Sequence, residues 1–360
     1  MNGTNSRVIR TLHGRYELVN QRYKSKEGFC SDFLSDYGGG ESKGLREFLS
    51  YYSLRLSYRE VEGLAERMMG VPIYGHRQIA NKVLKESEKV KQASQGCYSG
   101  MQLSICFVES VDIYDPLSKE LLYFDDGIGV KKQKLHRQKQ EESQEKESKT
   151  VQTDVIVIGT CAADFHHLTS GEVKNSLEET IHCYLSYQYG TQTLPIVAIT
   201  DGAKCIRNRL VSLFGEGVQV ILDWYHLEDK IRKYLSRLGL NKTLKEEHIQ
   251  EMLGYLWHGK PIEALIYADV MIQTKHLQIL EELQNYILKH QSEICNYEKR
   301  QKVAGKTIGS GRGEKANDII VARRQKKKSQ AWSKKGSNAL SVLKTVETNG
   351  LWKLYWEVAA

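Results

Sequence analysis

Two aspartates and one glutamate are the residues of this chain best suited by type and setting to do chemistry. Asp126 follows the apolar run Leu121–Phe124 and precedes Gly127, while Asp201 directly follows Pro195–Thr200 and precedes Gly202. An aspartate at the end of a buried strand projects into the crevice where α/β folds bind ligands. Two such carboxylates converging would repel unless a cation lay between them, which suits a hard divalent ion that prefers oxygen ligands. Asp-Gly is also an ordinary turn signal. A hairpin explains Asp201 less well, because a helical pattern and not a returning strand comes next. Asp125 adjoins Asp126 as an alternative first ligand, and Asp112 is a weaker rival.

Glu314 is the third acidic candidate, in the stretch Ile308–Ile319 that contains Gly309, Ser310, Gly311, Arg312 and Gly313. Ser310 reads as a helix cap, with Glu314 in the first turns. Between Arg300 and Lys335 twelve Lys/Arg face two acids, Glu314 and Asp318, a local surplus of +10 against +8 for the whole chain. Such a run is either a solvated helix face or a site for phosphates whose binding weakens steeply with salt. A lone acid inside it is explained by metal ligation beside a nucleic-acid backbone, or by a local ion pair with Lys315 or Arg323.

These residues need elements to hold them. Leu103–Ile113 and Leu121–Val130 read as strands, with Pro116 and Ser118 turning between them. Strand signals resume at Asp154–Ile158, Pro195–Ile199 and Val218–Leu222, with helical stretches Leu177–Gln188 and Ala203–Phe214 between. This alternation implies an α/β layer with some parallel pairing. Lys131–Thr150 is a low-complexity run of Lys, Gln, Glu and Ser that reads as a mobile loop. From Leu227 to about Tyr297 the pattern is helical throughout, beginning with Leu227, Ile231, Leu235 and Leu238.

Toward the N-terminus, a glycine-rich joint at Asp36–Glu41 precedes a helical stretch from Gly44 to about Gly96. Ser57 and Glu60 form a capping box, Val61, Leu64, Ala65 and Met68 repeat at helical spacing, and Gly70 closes the helix. A second helix is expected from near Tyr74 to Val90, with Ile79 and Val83 inward. Helix, tight turn and helix fit a helix-turn-helix in which Arg77, Gln78 and Asn81 face outward toward phosphates or base edges. They equally fit two helices that pack for structure alone.

Composition narrows the partners. The chain has 360 residues, 40% of them hydrophobic and 27% charged, about two domains by length. Lys plus Arg is 52 and Asp plus Glu 44, a surplus that favours anionic partners. No apolar run approaches the ~20 residues that span a bilayer, and the first residues lack the charged-then-apolar order of a secretory signal. Seven scattered cysteines without a Cys-x-x-Cys pair or zinc spacing suit a reducing cytosol. No Gly-x-x-x-x-Gly-Lys-Ser/Thr loop is present, and Gly127 and Gly129 lack a third glycine at dinucleotide spacing.

Taken together, these residues resemble the DDE transposases of bacterial insertion sequences, most closely the ISKra-type family, over nearly the whole chain. The resemblance lies in Ile308–Glu314 continuing through Val321–Gln325, Ala331–Gly336 and Asn349–Trp352, and in Thr200–Ala203 followed by Leu222–His226. The last of these is similar to the Asp-x-x-His signature of Mutator-like transposases. Asp126–Lys134 looks like the segment of the first catalytic Asp. Where the family often has a Cys-pair segment near the N-terminus, this chain has Cys30 alone.

The resemblance implies a ribonuclease-H-like catalytic core with an all-helical insertion, preceded by a helical, helix-turn-helix-like N-terminal region. Its expected boundaries are 1–96 for the N-terminal region, 97–226 for the first part of the core with 131–150 as its flexible loop, 227–300 for the insertion, and 301–360 for the last part of the core. Asp126, Asp201 and Glu314, 75 and 113 residues apart, would hold two Mg²⁺ (or Mn²⁺) ions for in-line attack on a phosphodiester. Asp223 and His226 would have a positioning role, with a capping or core histidine the alternative for His226. Trp224 would pack the insertion against the core or stack an unpaired base. Lys315, Arg323, Arg324, Lys326, Lys327 and Lys328 would clamp phosphates without reading sequence.

The expected function is metal-dependent strand cleavage and strand transfer at transposon ends, by a homodimer or larger assembly on double-stranded DNA. The expected setting is bacterial cytoplasm and nucleoid, with no membrane association. The competing classes are a DNA-binding regulator or domesticated protein with an inactive acidic site, and a metal-dependent nuclease without strand transfer.

Overall fold

The computed structural model describes residues 4–21, 23–25, 28–30, 40–98, 108–134, 148–160, 164–172, 176–190, 192–271 and 277–358. Its centre is a mixed five-stranded sheet of β5 (Leu121–Lys131), β6 (Thr150–Thr160), β7 (His166–Thr169), β8 (Ile196–Thr200) and β9 (Gln219–Leu222) in the order β7-β6-β5-β8-β9. β7, β6 and β5 pair antiparallel, whereas β8 and β9 run parallel to β5. α4 (Leu177–Tyr189) and α5 (Lys204–Phe214) cross between strands, as parallel pairing requires.

Side chains alternate across β5, and the two faces of the sheet carry separate cores. Leu121 and Tyr123 join Ile181, Leu185, Leu210 and Leu213 under α4 and α5. Leu122, Phe124, Ile128 and Val130 join the opposite core. Continuing this period-two pattern sends Asp125 to the first face and Asp126 to the second.

Much of the chain that follows β9 packs on the second face. α6 (Trp224–Ser236), α7 (Lys242–Trp257), α8 (Pro261–Met271) and α9 (Leu277–Lys289) form a helical array. Their inward Leu227, Ile231, Leu235, Met252, Leu283 and Ile287 belong to the same apolar cluster as Phe124 and Ile199. Trp224 is buried against Trp257 and Tyr297, with ring centroids 4.7 and 5.0 Å away. It therefore packs the array on the sheet and is not open to a base. The chain then enters α10 (Gly311–Asn317), continues through helical turns to Gln325, and ends in α11 (Lys334–Thr348) and α12 (Trp352–Val358).

At the other end, β1 (Thr4–Thr11) and β2 (Gly14–Gln21) form a hairpin, and β3 (Tyr23–Ser25) and β4 (Gly28–Cys30) a shorter one. Three helices follow, α1 (Lys43–Ser53), α2 (Tyr58–Met69) and α3 (His76–Tyr98). The capping box at Ser57 and Glu60 is formed, and Gly70 closes α2 in the left-handed conformation at φ 71°. α1, α2 and the start of α3 share a small core of Leu45, Leu49, Val61, Ala65 and Ile79. Further along α3, Val83 and Val90 belong to the main cluster, and α3 packs against α11.

Two sequence expectations change. The strand expected at Leu103–Ile113 is not one where it is described: Val108 makes a single bridge to Leu194, and residues 109–113 are irregular. Asp112 Oδ1 and Asp115 Oδ1 accept from the backbone N–H of Tyr114 and Leu117, local bonds that draw the chain into turns. Residues 103–107 lie outside the described residues. The expected loop is shorter than Lys131–Thr150, because β5 runs to Lys131 and β6 begins at Thr150. Its middle, residues 135–147, also lies outside them.

Candidate active site at the ends of the parallel strands

Strand register brings three of the aspartates level. Phe124 pairs with Ile199, so Asp126 and Asp201 each stand two residues beyond one pair on adjacent parallel strands. Thr200 pairs with Leu222, so Asp201 and Asp223 each stand one residue beyond the next. Neighbouring strands lie about 4.8 Å apart, and residues 75 apart in sequence therefore face one crevice. Asp201 N-terminally anchors its turn, accepting from Ala203 N at 2.8 Å.

Glu314 arrives from the far end of the chain on α10. α10 lies against β5 at Gly313, where a Cβ would make ordinary contacts, 3.4 Å from Phe124 Cβ and 3.8 Å from Asp126 Cβ. Asn317, one helical turn after Glu314, donates from Nδ2 to Asp126 Oδ2 at 2.7 Å. Glu314 itself is exposed, and its Oε1 lies 3.8 Å from His226 Nε2. It forms no ion pair with Lys315 or Arg323 among the described residues; Arg323 pairs with Asp318.

Asp223 is the structural hub. It caps α6 by accepting from Tyr225 N at 2.7 Å and His226 N at 3.1 Å through Oδ1. Its Oδ2 accepts from Ser310 N at 2.6 Å and from the Ser310 hydroxyl. Ser310, expected to cap its own helix, makes no such side-chain bond, because its hydroxyl is committed to Asp223. His226 Nδ1 stands 3.3 Å from Asp223 Oδ2, which aims Nε2 at Glu314.

The electrostatics follow from this geometry. Burial raises the pKa of Asp126, and the neighbouring Asp201 adds to it, against the hydrogen bonds from Gly127 and Asn317. Burial also opposes charge on Asp223, but the bonds from His226 and Ser310 outweigh it and hold its pKa down to about 2. The Asp223 carboxylate beside its ring raises the pKa of His226, helped by Glu314 and Asp201.

Asp125 is a different kind of residue. It is buried on the opposite face, where Arg209 Nη1 donates to both its oxygens at 2.8 and 2.6 Å while Nη2 reaches Asp154. Burial pushes its carboxyl up to about 6 despite Arg209. Asp112, the other rival, is exposed and spent on its turn.

Among the described residues no three His, Cys, Asp or Glu side chains stand close enough together to grip a metal ion as they are. The donor chemistry nonetheless fits one. Asp126, Asp201 and Glu314 offer oxygen alone, the ligand type of hard divalent cations, and a cation would relieve the repulsion that Asp201 exerts on Asp126.

Of the outer candidates, Arg77, Gln78 and Asn81 lie exposed along α3, and Lys315, Arg323, Lys326, Lys327 and Lys328 are exposed as well. Arg324 departs from expectation: it is buried, donates to Ser53 O at 2.8 Å, and stacks on Trp332, so it joins α1 to the C-terminal segment and offers nothing to a phosphate. Arg300 and Lys306 of the basic run are interior too, both paired with Glu120.

Two neighbours of the site were not singled out from the sequence. Asn317 had a usable signal in its three-residue spacing from Glu314, which places both on one helix face. The Tyr286 hydroxyl is buried without a hydrogen-bond partner among the described residues. Burial raises its pKa, with Asp201 and Glu293 adding to the effect. Nothing in the sequence marks it.

No family model matches the chain. Over 185 residues it is 25% identical to the UPF0236 protein in the vanSb 3′ region of Streptococcus gallolyticus, a match that takes in 50% of this chain and 39% of that protein. Among solved structures it is similar to the Drosophila P element transposase strand transfer complex, with a TM-score of 0.30, 10% identity, and coverage of 91% of this chain and 84% of the other. No described helix is long and apolar enough to cross a membrane.

Proposed function

We propose that this chain is a transposase of the DDE type, which cuts DNA strands at the ends of a mobile element and joins the freed 3′ ends to target DNA. One observation carries the reading. Asp126 and Asp201 stand level on adjacent parallel strands, and the helix bearing Glu314 is bonded to Asp126 through Asn317. The mixed sheet with its helical array between Asp201 and Glu314 supports a ribonuclease-H-like core with an insertion.

Asp126, Asp201 and Glu314 would hold Mg²⁺ or Mn²⁺. Bound there, the metal supplies an acidified water or 3′-hydroxyl for attack and stabilises the leaving oxygen. The protein's own groups prepare the site. Asn317 fixes the Asp126 carboxylate, and Asp223, which raises the pKa of His226, directs its ring. His226 Nε2 then faces the carboxylate of Glu314 or the oxygen of a phosphate placed beside it. Exposed Lys315 and Lys326–Lys328 would hold the backbone of duplex DNA around the crevice.

Asp201→Asn should abolish Mg²⁺-dependent nicking and joining and leave DNA binding within a few-fold of wild type. Normal cleavage by that variant would refute the assignment. Pre-cleaved transposon ends separate a transposase from a nuclease with the same core, because only the former joins them to a target.

A further inference from the structure

α3 carries a polar stripe that the proposed chemistry does not use. Arg77, Asn81, Lys85 and Lys89 recur every four residues on its exposed face, the spacing of one side of a helix. From Arg77 to Lys89 the stripe extends about 18 Å at 1.5 Å per residue. Its far half borders a groove of about 930 Å³ between α3 and the start of α11, lined among the described residues by Lys85, Lys89, Lys91, Lys334 and Lys335 with one carboxylate, Glu88.

Lys89 and Lys91 are partly occupied by Glu86 and Glu88. Lys85, Lys334 and Lys335 form no ion pair among the described residues. The last two occupy the first turn of α11, directly after its cap at Ser333. There the helix dipole adds positive potential to their own charge. Lys85 on one wall and Lys334 and Lys335 on the other give the groove a positive charge that suits an anion.

We infer that this groove seats the phosphodiester backbone of duplex DNA, so that one duplex lies along α3 and passes α11 on its way to the carboxylate crevice. A lysine-lined groove at the end of a helical stripe whose charges recur every four residues fits a polyanion with regularly spaced charges better than a small anion. The distance is consistent with this path. Lys132, just past the end of β5, bridges Trp332 just before α11. Asp126 lies six residues back along the strand, about 20 Å at about 3.4 Å per residue, or roughly six base pairs of duplex. What the far end of the duplex meets rests on the function proposed above; the binding does not.

The test is fluorescence anisotropy of the full chain with a labelled random-sequence duplex of about 30 base pairs, between about 50 and about 200 mM salt. Three phosphate contacts contribute roughly 2.7 to the slope of log affinity against log salt. The combined Lys85→Gln, Lys334→Gln and Lys335→Gln variant should lose that much slope. The difference amounts to about 40-fold in relative affinity over this fourfold salt range. A charge-matched control, Lys233→Gln, Lys242→Gln and Lys353→Gln, should keep the wild-type slope.

An unchanged slope, or a loss equal to that of the control, would overturn the inference. All six positions are exposed, and an unaltered melting curve shows that the variants fold. Asp201→Asn separates the two proposals: it should bind with the full slope. If it also cleaves, the catalytic reading fails while the groove stands.

Discussion

Replacing Asp223 by alanine removes the acceptor on which α6, the Ser310 turn and His226 converge. The loss can be sized in two ways. Losing a helix N-cap costs about 1 kcal/mol, and stranding the buried Ser310 N–H, now bonded at 2.6 Å, costs about 1–3 kcal/mol more. Independently, a carboxyl held at about 2 instead of 3.8 contributes about 2 kcal/mol at neutral pH. The two estimates overlap. Because the folded pKa is the lower one, this contribution is complete above the unfolded value and is lost as pH falls through about 2.

Asp223→Ala should therefore lower the thermal midpoint at pH 7 by roughly 3–5 °C, at about 1.3 °C per kcal/mol for a chain of this size. The gap from wild type should narrow toward pH 2. Asp223→Asn keeps a capping oxygen and should lose about half as much. In both variants the ring of His226, whose pKa is raised chiefly by Asp223, should titrate lower when followed by NMR. A midpoint within about 1 °C of wild type, or a gap that does not depend on pH, would refute the role given to this residue.

Asp126→Asn should fold normally and lose Mg²⁺-dependent nicking by at least about 100-fold. Asp125→Asn should instead lose stability, by about 1–3 kcal/mol for the weakened buried bond to Arg209, while its folded fraction still nicks. The opposite pattern would exchange their roles. Glu120→Ala leaves Arg300, 0% exposed, and Lys306, 7% exposed, without their shared carboxylate. Breaking such a buried pair costs about 3–5 kcal/mol, so thermal denaturation should show a large drop, and a loss below about 1 kcal/mol would contradict the burial.

Much of this was legible in the sequence because it is local. The apolar runs of β5, β8 and β9, the capping box at Ser57 and the helical period from Leu227 each depend on neighbours a few residues away. Alternation along β5 also separates Asp125 from Asp126. It does not say which face receives Glu314, since that depends on how α10 docks nearly two hundred residues later. The same limit governs charge. Arg300, Lys306 and Arg324 read as part of a basic surface, yet their partners Glu120 and Ser53 lie far away in sequence. Ser310 reads as a cap, until an aspartate 87 positions earlier claims its hydroxyl.

The helical array between Asp201 and Glu314 is part of the site's construction. Its first helix is capped by Asp223, the residue that also holds Ser310 ahead of α10. Its end reaches the other aspartate: Gly202 has φ +80°, and a Cβ there would lie 2.5 Å from His290 Cε1. His290 is buried and bonded at 2.6 Å to Glu293, which in turn pairs with Arg207 of α5. The turn that presents Asp201 is thus pressed between its own crossover helix and the residues that follow α9. A side chain at position 202, or a shift of His290, moves a carboxylate of the crevice. The array cannot be displaced without disturbing both aspartates, and this ties its packing to any chemistry at the strand ends.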